Sequence, residues 1–75
     1  MSVPPEEIRA AQRAKAALLA RYGSRRWFRG VGISPSHGRL ALRLSVGGED
    51  PSEPLPERED GIPVFVIRVG TFETR

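Results

Sequence analysis

Leu40-Ala41-Leu42-Arg43-Leu44-Ser45-Val46 is the stretch on which the fold turns. Leu40, Leu42, Leu44 and Val46 alternate with Ala41, Arg43 and Ser45, the period-two pattern of a strand with one buried face. The strand is assigned to residues 39–46. Upstream, Pro35-Ser36-His37-Gly38 is a turn by composition. Before it, Arg29-Gly30-Val31-Gly32-Ile33-Ser34 reads as a short strand (residues 29–34) whose two glycines imply a bulge or a close backbone approach. The two strands and their short connection predict a hairpin.

Downstream, residues 47–61 are polar, acidic and proline-rich, and are expected to form a mobile loop. Residues 62–69 then read as a third strand. Phe65, Ile67 and Val69 share one face; Val64 and Val66 share the other with Arg68. Apolar residues on both faces predict a central strand, or one covered by a second subunit.

A leucine face needs a second layer, and residues 5–22 supply it. Pro5 suits a first helical turn, Glu6 and Glu7 suit the positive end of the helix dipole, and Gly23 is placed as the stop. At 100° per residue Ile8, Ala11, Leu18, Leu19 and Tyr22 form one stripe. Lys15 falls inside it and is expected to extend its ammonium to water. The expectation is one α+β domain over residues 1–75, with one N-terminal helix packed on a three-stranded sheet in the order helix, strand, strand, long loop, strand. The core is expected to join Leu18, Tyr22, Leu42, Leu44, Phe65 and Ile67.

With 75 residues and no cysteine, the chain has neither disulfides nor thiolate zinc sites. So small a domain depends on a tight core, on self-association, or on both. No run approaches the roughly 20 apolar residues of a membrane span, and the acidic start lacks the apolar stretch of a signal peptide, so a cytoplasmic protein is expected. Of twelve basic residues only Lys15 is lysine, and asparagine is absent; a GC-rich bacterial genome accounts for both. Charge is uneven: residues 1–46 carry nine bases and two acids, residues 47–75 three bases and seven acids. Such asymmetry marks either a nucleic-acid-binding half or two halves that neutralise each other within the fold.

Phe28-Arg29-Gly30-Val31-Gly32-Ile33, Leu40 to Val46, Leu55-Pro56, Asp60-Gly61-Ile62-Pro63-Val64-Phe65-Val66 and Val69-Gly70-Thr71-Phe72 together resemble the N-terminal segment of bacterial trypsin-like peptidase domains, and short stand-alone proteins of the same pattern. These motifs are built of glycine, proline and valine, so the resemblance supports the strand assignments. The chain stops where the peptidase body would begin. No serine nucleophile with its triad partners is matched, and the resemblance implies no peptidase activity here.

Catalytic, cofactor and metal residues are expected to be none. His37, the sole histidine, sits in a turn beside Ser34 and Ser36, where neighbouring side chains point apart; a triad needs three groups converging in space. The acids of residues 49–60 lack the spacing of a calcium loop and are interrupted by prolines. Gly30-Val31-Gly32 and Gly47-Gly48 lack the following helix that a phosphate loop requires. Residues 21–29 interleave arginines with Trp27 and Phe28, the chemistry of single-strand binding. Arg25, Arg26, Trp27 and Arg29 are the candidate nucleic-acid contacts. Against this stands the need of a small domain for its aromatics in the core, and a buried indole would exclude stacking by Trp27. The favoured expectation is a non-catalytic binding or structural module that associates with itself as a homodimer. Val64, Val66 and Arg68, with Phe72, are expected on its exposed face. The alternative is a small nucleic-acid-binding protein.

Overall fold

The computed structural model describes residues 3–49 and 51–69. Asp50 and Phe72 therefore lie outside the described residues. Helix α1 (Pro5–Tyr22) is followed by strands β1 (Phe28–Ser36), β2 (Arg39–Val46), β3 (Arg58–Glu59) and β4 (Ile62–Arg68). The α+β class stands, but the sheet has four strands and is mixed. Its order is β1-β2-β4-β3, with β1–β2 and β3–β4 antiparallel and β2–β4 parallel.

Both hairpins turn on two residues of positive φ: His37 (54°) with Gly38 (79°), and Asp60 (56°) with Gly61 (78°). Two-residue turns with this sign match the right-handed twist of the strands they join. The second hairpin adds a short strand, β3, within the segment expected as a loop over residues 47–61. Asp60-Gly61 is a strong hairpin signal, masked in the sequence by the acidic, proline-rich residues before it. As foreseen at the glycines, β1 is irregular, with a register shift between Phe28 and Gly30.

Helix α1 covers one face of the sheet. Ala11, Ala14, Leu18 and Tyr22 are buried against Leu42, Leu44, Val46, Ile62 and Val64, with Trp27 completing the cluster. The helix stripe is rotated from the expected one: Ile8 and Leu19 are exposed. Ala11 and Ala14 let the helix backbone approach the sheet closely, which the larger Ile8 and Leu19 would prevent. Glu7 fixes the start of the helix to the start of β2. Its Oε2 accepts from the Leu40 N–H at 2.7 Å, and its Oε1 lies 3.5 Å from Arg39 Nε.

The largest correction concerns β4. The parallel register sets Val64 beside Leu42 and Val66 beside Leu44. Neighbours in a sheet share a face, so Val64 and Val66 point toward the helix side while Phe65 and Ile67 point away. Val64 is 8% exposed and belongs to the core; Phe65, expected there, is 48% exposed. Residues 51–61 fold back over the helix side, where Leu55 packs on the core cluster. Among the described residues no helix is long and apolar enough to cross a membrane.

Candidate functional site

The outer face of the sheet carries the exposed chemistry. Strand alternation puts Gly30, Gly32 and Ser34 of β1 on that face with Ala41, Arg43 and Ser45 of β2 and Phe65 and Ile67 of β4. The register aligns them in rows: Gly32 beside Arg43 beside Phe65, and Gly30 beside Ser45 beside Ile67. Arg58, opposite Pro63, adds a second cation at the β3 edge, where its Nη1 donates to the Gly61 carbonyl at 3.3 Å.

Ser34, Pro35, Ser36, Ala41, Arg43, Phe65 and Ile67 line a groove of about 230 Å³ on this face. Pockets that enclose small molecules run to about 300–1,000 Å³, so this is an open platform. Arg43 and Phe65, paired across β2 and β4, both line it. Gly30 and Gly32 lie on the same face, and a Cβ at either position would meet no described residue within 4 Å. Packing within the chain therefore does not require these glycines, although glycine weakens a strand interior.

The segment singled out in the sequence is built differently. Trp27 is 3% exposed, and its ring centroid lies 5.3 Å from that of Tyr22 at an interplanar angle of 48°. Its indole is a core element and has no free face for a base. The Arg25 Nε donates to both carboxylate oxygens of Glu53, at 3.0 and 3.2 Å. Arg29 is exposed, but its Nη1 donates to the carbonyls of Arg26 (2.9 Å) and Phe28 (3.2 Å). Arg26 is exposed. Of the self-association residues, Val64 is buried, Val66 is 42% exposed on the helix side of β4, and Arg68 is exposed at the end of that strand. His37 is exposed at the tip of the first hairpin.

The basic and acidic halves meet on the helix side. Arg13 pairs with Asp60 at 3.0 Å, Arg21 with Glu59 at 3.8 Å and Arg25 with Glu53 at 3.0 Å. The Arg21 guanidinium is held above its ordinary pKa, first by its interaction with the Tyr22 hydroxyl and then by the charge of Glu59. The charge asymmetry of the sequence thus resolves partly into ion pairs. The pairs engage Arg13, Arg21 and Arg25 and leave the outer face untouched. Arg43 has no ion-pair partner among the described residues, and no acid stands among the strand positions of its face. The pattern of Arg43 against Phe65 was available in the sequence; what was missing was the parallel pairing that brings the two side by side.

Compared with protein families, curated proteins and solved structures, the chain matches none of them.

Proposed function

We propose that this chain is a non-catalytic binding module whose working surface is the outer face of the sheet, and that its partner is anionic. The observation that carries the reading is Arg43, without an ion-pair partner among the described residues, beside the half-exposed Phe65 on a face whose described strand positions hold cations and no acids. Two copies brought together face to face would oppose arginine to arginine, which argues for a partner of opposite charge. Titration with heparin and with polyglutamate tests the reading. Binding of either at low salt, weakened by Arg43→Ser more than by Arg26→Ser on another surface, is the expected result. Equal weakening by the two substitutions would mean diffuse charge attraction and would overturn it.

Self-association is a second reading, favoured by a different feature. β1 is an outer strand of the sheet, nine residues long with Arg29 its one charge. An unprotected edge is a template for pairing with another chain, and a two-fold axis would join two β1 strands antiparallel. A solution mass that stays at 8.3 kDa as concentration rises would set this reading aside.

A further inference from the structure

We infer that the anionic partner of the outer face is single-stranded nucleic acid, with Phe65 as the stacking surface for a base and Arg43 and Arg58 as phosphate contacts. The inference rests on the proposed function above and names its ligand. Three features of the face select this ligand. An exposed aromatic ring on a sheet is the element that unstacked bases use, because every base has a π-face. Phe65 is 48% exposed and lies in the strand next to β2, directly abreast of Arg43. A guanidinium in that position can reach the phosphate of a base laid on the ring.

The second feature is the pair of glycines. No described residue fills the space over Gly30 and Gly32; Gly30 borders the register shift of β1, whereas Gly32 is regularly paired, and glycine in a strand marks a place where a ligand or another backbone comes close. Gly32 stands on the other side of Arg43 from Phe65. The row therefore offers ring, cation and bare backbone in sequence, the profile of a strand-tracking groove. Ser34 and Ser45 border it with hydroxyls able to hydrogen-bond sugar or base edges.

The third feature is the sorting of charge. Glu53, Glu59 and Asp60 are committed to Arg25, Arg21 and Arg13 on the helix side. Glu59 and Asp60, six and five residues before Phe65, are thus held away from its face. An acidic polypeptide would answer the cations equally well but would make no use of an exposed phenyl ring.

The test compares fluorescein-labelled oligodeoxythymidylate with an abasic oligomer of equal length, by fluorescence anisotropy, on the intact chain. The thymidine oligomer is expected to bind more tightly, and Phe65→Ala to lose about 5- to 150-fold in affinity for it, the range for one stacked base, while leaving abasic binding unchanged. Two phosphate contacts predict a slope of about −1.4 for log affinity against log salt, reduced by about 0.7 in Arg43→Ser. Circular dichroism of the variants keeps loss of binding separate from loss of fold. Equal binding of the two oligomers, both dependent on Arg43, would overturn base stacking and leave the anion-binding surface standing. Preference for polyglutamate over either oligomer would overturn the inference in favour of an acidic protein partner. Failure of oligonucleotide, heparin and polyglutamate alike would overturn both the inference and the proposed function.

Discussion

At the scale of single residues, Trp27 takes the core role that a small domain asks of its aromatics, while Phe65, expected in the core, faces outward. Trp27 lies in the most basic segment of the chain yet is buried on Tyr22; Phe65 lies in an apolar strand yet faces outward. Truncation reads out the difference. Trp27→Ala is expected to cost about 3–5 kcal/mol, the range for a buried large aromatic, seen as a lower urea midpoint at unchanged slope. Phe65→Ala is expected to change stability by less than about 1 kcal/mol, because a half-exposed ring loses little burial. A larger loss at Phe65 than at Trp27 would mean that the faces of β4 are reversed. The sequence held the chemistry of both residues but not their positions. Both parities of β4 are apolar, so alternation alone cannot say which side meets the helix. Only the register, with Val64 beside Leu42, decides it. The ion pairs have a smaller part. All are partly or largely exposed, and such pairs contribute about 0.2–1 kcal/mol each. Arg25→Ala should therefore move the urea midpoint far less than Trp27→Ala.

At the scale of elements, α1 and the β1–β2 hairpin were legible because each carries a regular period bounded by turn or capping residues. Pro5 opens the helix and Gly23 follows its end. A side chain at Gly23, whose φ is −60°, would collide with the Leu19 carbonyl oxygen. Glycine thus serves close approach there, with no need of left-handed backbone. The β3–β4 hairpin was not legible as a strand pair, since two residues are too few to show a period. Its turn carries the information instead. Gly61 has φ 78° with open space around it, so Gly61→Ala probes the backbone alone and is expected to destabilise by more than about 1 kcal/mol. The same substitution at Gly32, in extended backbone with equal space, should be neutral or stabilising. A neutral Gly61→Ala in urea melts would show that the turn is not required. Amide exchange offers a second view of this segment. The Val64 N–H donates to the Glu57 carbonyl at 2.9 Å and should be protected, whereas the exposed Gly48 and Glu49 should exchange freely.

At the scale of the whole molecule, the fold divides its surface by charge. The crossover from β2 to β4 draws the acidic segment over the helix side, where it meets the arginines of α1 and of the segment that follows it. Charge pairing there leaves the opposite face cationic and apolar. Read along the chain, residues 21–29 offer one alternative site of arginines and aromatics; folding places an exposed ring and cation, Phe65 and Arg43, on the other side of the sheet. That placement is the central claim, and it is tested most directly by mapping a titration of oligodeoxythymidylate onto the backbone amides by heteronuclear NMR. The account predicts shifts centred on Gly32, Arg43, Phe65 and Ile67, with the amides of Arg25, Arg26 and Trp27 unmoved. Shifts confined to residues 21–29, or no shifts at low salt, would contradict it.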